Sequence, residues 1–309
     1  MRNRMLALAV ALAVMPVSAP GATWYVDQSG GGDAQSIQAA LDICSAGDTV
    51  LVAPGTYSID SPLYPNDCFS KPLYIIGEAG AAETIIDCAG SAHGFVLSGG
   101  IYIIRGFTVT GASASGIEVD LAFLGEIVVR NCVLKENAGS GIDIRQSSST
   151  INILSNIIHS NGRGITSDES NGIYIIGNTI SGHGGVDGAG ISIVDCNPIP
   201  NIIQNNIIVD NTYMLYNTSL LMLFEYNDVY NNLHNQAAYV GIGGNFSLDP
   251  QFCSAVPRSD GNFFLQSDSP CAPGNHPLGL SCGLIGARGV DCGTTSAESS
   301  SWGRLKSLH

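Results

Sequence analysis

Charge is what this chain has least of. Only 12% of its 309 residues are charged, and 12 Lys and Arg stand against 26 Asp and Glu, for a formal net charge of −14. A basic complement this thin excludes nucleic acid and anionic membrane as partners. Lys/Glu-rich stretches that favour long helices are missing. No Cys-x-x-Cys pair occurs and no His stands at ligand spacing, which argues against a structural zinc site. The Gly runs at Gly30–Gly32 and Gly182–Gly185 lack the strand-then-helix setting of phosphate loops and dinucleotide fingerprints. Nucleophilic triads leave no trace either. The one long apolar run, Met5–Val17, is too short to span a bilayer.

That run reads instead as a leader. Arg2 and Arg4 precede it and small residues follow at Ser18–Ala22, so residues 1–22 are expected to be a signal peptide, with several cleavable bonds. The expected location is then secreted or cell surface. Nine cysteines fit an oxidising compartment, as disulfides or buried thiols, and an odd count leaves at least one unpaired.

What the chain has in abundance is repetition. From Gly106 onward one phrase recurs: a short apolar strand, Gly or Asn, an apolar pair, polar turn residues, then Gly-Ile and another strand. The anchors Gly106, Asn131, Asn156, Asn178, Asn206 and Asn227 lie 21 to 28 residues apart, and Gly-Ile pairs at Gly116, Gly141, Gly164 and Gly190 keep nearly the same step. Strands at such a period, without the frame of leucine-rich repeats, predict an all-β parallel β-helix solenoid. Ile142, Ile144, Ile191 and Ile193 should face inward, alternating with outward Asp143 and Ser192. The anchor Asn residues are expected to stack as an amide ladder.

The ends read as closures. Residues 34–44, AQSIQAALDIC, form an amphipathic N-terminal capping helix with Ile37, Ala40, Leu41 and Cys44 on one face, and Asp33 or Ser36 as its cap. The domain reading is a β-helix over 23–245, a Cys-rich closing segment over 246–293, and a flexible tail over 294–309. Closed ends prevent stacking between molecules, and a monomer is expected.

The opening SIQAALDICSAGDTVLVAPGTY, the Asn-and-Gly-Ile coils and the closing DPQF…FFLQSDSPCAPGN…IGA resemble secreted bacterial proteins of the right-handed β-helix, pectin-lyase-like superfamily, over residues 23–293. That resemblance implies the fold. It implies function only broadly, because the superfamily holds pectate and pectin lyases, polygalacturonases, alginate lyases, epimerases and proteins without known chemistry. It also implies that the terminal WGRLKSLH could act as a sorting signal. Polygalacturonase-like members carry Asn-Thr-Asp-Gly, Asp-Asp, Gly-His-Gly and Arg-Ile-Lys elements that supply the acids of inverting hydrolysis. Gly182-His183-Gly184 matches the third, but Ala138–Gly141 and Gly162–Gly164 stand where the acids belong, and no Arg-Ile-Lys follows. His183 therefore reads as a histidine on an exposed turn.

Lyase-like members use an acidic calcium cluster with Arg or Lys nearby. The nearest counterpart here is the strand that follows each Gly-Ile pair. Aligned coils place Glu118, Asp143, Thr166 and Ser192 in one outward row and Asp120, Arg145 and Asp168 in the next. The candidate glycan-binding site is thus Glu118, Asp120, Asp143, Arg145 and Asp168; no catalytic residue is assigned, no metal site is evident, and Ca2+ is the one cofactor such a column could take. A surface ion ladder accounts for the same residues without a ligand. His159, Arg163 and Asp187 sit on neighbouring turns. Tyr213, Tyr216, Phe224, Tyr226 and Tyr230 form either a sugar-stacking patch or core packing. The functional expectation is an exported protein that binds or processes extracellular polysaccharide; the alternative is a non-catalytic surface or adhesion module. A role in metal-enzyme maturation finds no ligand cluster to support it.

Overall fold

The computed structural model describes residues 21–292 except 67, 123–124, 171, 195–198, 219–220, 235–236, 238 and 255–260. Residues 1–20 of the expected leader, and the whole of the expected tail, lie outside the described residues. Strand β1 (Thr23–Val26) is followed by helix α1 (Ile37–Ile43), then β2 (Thr49–Val52) and β3 (Gly55–Ser58). From there the chain winds in coils of three strands: β4 (Cys68–Gly77), β5 (Thr84–Asp87) and β6 (Phe95–Leu97), then β7 (Gly100–Arg105), β8 (Thr108–Thr110) and β9 (Ile117–Asp120). Next come β10 (Glu126–Arg130), β11 (Val133–Lys135) and β12 (Ser140–Arg145), then β13 (Thr150–Leu154), β14 (Ile157–His159) and β15 (Arg163–Asp168). Two further coils follow, β16 (Ile173–Ile176), β17 (Thr179–Ser181) and β18 (Ala189–Val194), then β19 (Asn201–Gln204), β20 (Ile207–Val209) and β21 (Tyr213–Asn217), and β22 (Met222–Glu225) begins the last.

From β4 onward each strand pairs in parallel with the third strand after it, and with β1, β2 and β3 these build sheets of nine strands (β1 to β22), seven strands (β3 to β20) and six strands (β6 to β21). We call these sheets A, B and C. This is the parallel β-helix expected from the repeat. Ile142, Ile144, Ile191 and Ile193 are fully buried in one continuous core with residues of all three sheets.

Helix α1 is shorter than the sequence suggested. Ser36 caps it by accepting from the Ala39 N–H at 3.2 Å, and Ile37, Ala40 and Leu41 bury their side chains over the open end of the coil.

The corners are where the repeat acquires its letters. Sheet A turns into sheet B through one residue in the left-handed region, followed by one that points inward. Asn131, Ser155, Gly177, Asn205 and Tyr226 are the left-handed residues, with φ between 51° and 66°. The inward residues form the expected amide ladder: the N–H groups of Cys132, Asn156, Asn178, Asn206 and Asn227 donate in turn to the Oδ1 of Asn156, Asn178, Asn206, Asn227 and Asn245 at 2.8–2.9 Å. Gly106 and Asn131 are therefore not rungs. They make the bend, and Cys132 stands at the rung in the second of those coils.

A second ladder, unexpected from the sequence, runs along the corner between sheets B and C. Asn137, Asn161, His183, Asn211 and Asn232 are its rungs, each accepting from the main-chain N–H one coil earlier at 3.0–3.2 Å. It explains the Gly-Ile pairs. A Cβ on Gly116 would sit 2.9 Å from Asn137 Nδ2, and one on Gly190 2.9 Å from Asn211 Nδ2. Glycine leaves room for the ladder, and Ile117 or Ile191 then plugs the core.

The C-terminal segment is tied by a disulfide between Cys253 and Cys292. It does more than close the end. Phe263 packs on His159 with ring centroids 5.3 Å apart, Ala287 N–H donates to Thr179 Oγ1 at 3.0 Å, and Ile285 and Leu265 pack on Ile207 and Val209. The segment is a strap laid back over the outer face of sheet B. Cys44, Cys88, Cys132 and Cys271 are buried, and Cys282 is half-buried. Burial pushes the Cys88 and Cys132 thiols up, to about 12 and about 11, so neither is a ready nucleophile. Cys196 lies outside the described residues, and no helix among them is long and apolar enough to cross a membrane.

Candidate functional site

Sheet C presents the candidate column on its outer face. The register is the one read from the Gly-Ile pairs: Asp143 lies beside Glu118 and Thr166, and Arg145 beside Asp120 and Asp168. Thr166 continues to Ser192, and Ser192 to Tyr216.

Arg145 organises the column, but not as a ladder with Asp120 and Asp168. Its guanidinium bends back along its own strand, Nε donating to Asp143 Oδ2 at 2.9 Å, while Nη1 lies 3.8 Å from Glu118 Oε1. The other Asp143 oxygen accepts from Thr166 Oγ1 at 2.6 Å, and Thr166 shares a 2.9 Å bond with Ser140. Asp143 chiefly, with Glu118 and Asp120 behind it, holds the Arg145 pKa above its ordinary value against the opposing pull of burial. The cation is permanently charged, fixed at its base and 53% exposed at its side chain.

The sequence reading missed His93. Its Nε2 lies 2.8 Å from Glu118 Oε2, and its Nδ1 accepts from the Ser115 N–H at 3.4 Å. With Nδ1 an acceptor, Nε2 carries the hydrogen and donates to the carboxylate. A signal was present: His93-Gly94-Phe95 stands one coil before Ser115-Gly116-Ile117, and Phe95 pairs with Ile117.

Other candidates fall elsewhere. His183 is fully buried, not on an exposed turn. Its Nδ1 accepts from the Asn161 N–H and its Nε2 reaches the Ile158 carbonyl at 3.2 Å, the bond that the Nδ2 of neighbouring rungs makes to a main-chain carbonyl. Both ring nitrogens are thus engaged by the main chain. His159 is buried on sheet B beneath the strap, away from the column. Arg163 and Asp187 do pair, at 3.2 Å, on the exposed entry to sheet C. The late aromatic residues do not form one patch. Phe224 belongs to the core, Tyr230 to the strap contact, Tyr226 to a bend near His276, and Tyr213 stacks on His234 at 4.6 Å. Only Tyr216, 54% exposed, lies in the outward row of the column.

Among the described residues no three His, Cys, Asp or Glu side chains converge as metal ligands. Between Asp143 and Glu118, where a cation would be drawn, the Arg145 guanidinium already sits. Two hollows of about 390 and 440 Å³ lie near Asp210 on the late coils, remote from the column, which is an open surface.

Comparison with known proteins agrees with this architecture. Residues 85–249, more than half of the chain, match the family model described as right handed beta helix region. The chain belongs to this right-handed β-helix family. Among solved structures it is similar to the crystal structure of pectate lyase Pel9A, at a TM-score of 0.52 and 18% identity, over 69% of this chain and 62% of that one. At that identity the likeness is one of fold, and this β-helix protein spans less than two thirds of the enzyme's length. No curated protein matches the sequence significantly.

Proposed function

We propose that this β-helix protein is exported and binds an acidic extracellular polysaccharide on the outer face of sheet C. The observation that carries the reading is Arg145: a guanidinium anchored by Asp143, flanked by Glu118, and half exposed on an open strand face. Its outward N–H groups suit a sugar carboxylate or sulfate, which a planar fork binds in bidentate fashion. Tyr216, in the outward row two coils beyond Thr166, offers a ring on which a pyranose can stack. Stacked strands repeat every ~4.8 Å, so the row presents a linear, groove-like surface to a linear polymer. The likeness to a pectate lyase supports the substrate class, and the Cys253–Cys292 bond fits an oxidising compartment.

Binding is favoured over cleavage. Proton abstraction from a sugar needs a free base, and Glu118 is engaged by His93 while Asp143 is engaged by Arg145 and Thr166. The test is retention on immobilised acidic and neutral polysaccharides, alongside assays for unsaturated products and new reducing ends. Arg145→Ala should abolish retention on acidic glycans. Its melting temperature should hardly move, since an exposed ion pair contributes about 0–1 kcal/mol. Unchanged retention would remove the column from the reading, and product formation would make the protein an enzyme.

A further inference from the structure

Sheet B is covered by the strap and sheet C carries the column, but sheet A turns an apolar face outward. Two rows cross it from β7 to β22. The first reads Ile103, Val128, Asn152, Tyr174, Ile202 and Leu223; the second reads Arg105, Arg130, Leu154, Ile176, Gln204 and Glu225. All are half-buried by their neighbours except Leu223, which is 39% exposed. Arg105 and Arg130 lie side by side on adjacent coils, and each lowers the affinity of the face for a further positive charge. Burial and then Arg130 push the Arg105 pKa below its ordinary value.

The two rows share a symmetry. Turned about an axis along the strands, midway between β13 and β16, each row meets itself in reverse. Leu154 then faces Ile176, Val128 faces Ile202, Ile103 faces Leu223, and Asn152 faces Tyr174. Arg130 meets Gln204 and Arg105 meets Glu225. Gln204 already donates Nε2 to Glu225 Oε2 at 3.0 Å, which leaves its own Oε1 and the second Glu225 oxygen as acceptors. Apolar side chains meet apolar ones, polar Asn meets Tyr, and each Arg meets a side chain that carries an acceptor, as an isologous contact requires. We propose that the outer face of sheet A is a homodimer interface, with a second copy packed on it about a two-fold axis between β13 and β16 and Arg105 paired with Glu225 of that copy. This departs from the monomer suggested by the sequence.

Face-to-face sheets pack ~10 Å apart, and six strands at ~4.8 Å spacing give a contact about 24 Å long. Such a patch is smaller than the standard interface, which buries about 800 Å² per partner. Association should therefore depend on concentration. The test is sedimentation equilibrium of the full chain over a wide concentration range, with charge reversals. Arg105→Glu and Glu225→Arg should each weaken the dimer at least tenfold, and the double reversal should restore it to within a few-fold. A second probe, Ile202→Asp, should give a folded monomer by circular dichroism. A monomer at all concentrations overturns the proposal, as does a dimer indifferent to the reversals. If deletion of residues 293–309 turns such a monomer into a dimer, the face is covered by the chain's own tail instead.

Discussion

His183 accepts the main-chain N–H of Asn161 through Nδ1 at 3.2 Å, so an imidazole stands in a rung that the coils on either side fill with asparagine. The two sets of contacts are equivalent: Nδ1 does the work of Oδ1, and Nε2 that of Nδ2. The neighbouring glycines, Gly182 and Gly184, are corner residues. The Gly-His-Gly triplet is therefore a ladder motif that coincides with a catalytic signature.

His183→Asn should accordingly leave the protein as stable as before or slightly more so. His183→Ala should cost about 1–3 kcal/mol, because it leaves the buried Asn161 N–H without its acceptor, while the Ile158 carbonyl keeps its place in the β14–β17 pairing. Neither change should alter glycan retention. Thermal melts with a retention assay check this, and loss of retention in a well-folded His183→Asn protein would return the histidine to the functional site.

Gly164 offers a sharper test of the second ladder. A Cβ there would overlap the Gly190 carbonyl oxygen and lie 2.8 Å from Ile180 Cγ2 and 3.0 Å from His183 Cδ2, whereas a Cβ on nearby Gly184 meets nothing within 4 Å. Gly164→Ala should expand the coil and destabilise it by about 1–3 kcal/mol or more, as overpacking does. Gly184→Ala should be nearly neutral. Equal melting temperatures for the pair would mean that the glycine of the Gly-Ile repeat does not make room for the ladder.

Much of this was legible before the structure, and the failures have physical causes. The sheet C register could be read because Gly-Ile marks the same point in every coil, as the Asp143–Glu118 pairing shows. The amide ladder was read one residue out at Asn131, because asparagine suits both a left-handed bend and a rung; φ of 51° puts Asn131 in the bend. His93 was missed because its coil carries Gly-Phe in place of Gly-Ile. The strap over sheet B left no periodic trace, since its contacts, such as Ala287 with Thr179, join residues 108 apart. Periodicity reports neighbours one coil away and nothing further.

The Cys253–Cys292 bond closes a loop with a sequence separation of 39 around the strap. In the chain-entropy account a loop of this size stabilises by about 4 kcal/mol. In a solenoid the loss should be local, because each coil rests on its neighbours. Cys253→Ser with Cys292→Ser should raise hydrogen exchange in residues 261–292 and at Ile207–Val209 beneath them. The amides of β7 to β12 should stay protected. Uniformly raised exchange would show the strap to be integral to the whole fold.

Asp228 is fully buried under the strap, where Leu248 N–H donates to Oδ1 at 3.2 Å and Cys271 Sγ lies 3.3 Å from Oδ2. Burial pushes its pKa up from 3.8 to about 8, outweighing the bonds from Leu248 and Cys271. The folded protein thus keeps this proton through neutral pH, while the unfolded chain gives it up near pH 4. Its contribution to stability is fully present below the unfolded value, falls as pH rises, and is lost once pH passes about 8. The slope for one proton approaches about 1.4 kcal/mol per pH unit within that window. Asp228→Asn keeps an acceptor for Leu248 and removes the titration. The variant should therefore gain stability over wild type as pH rises from 5 to about 8, and the difference should level off above that. Urea unfolding at each pH measures the gap. A difference that stays constant across the range would mean that the Asp228 carboxyl ionises in the folded protein at its ordinary pH.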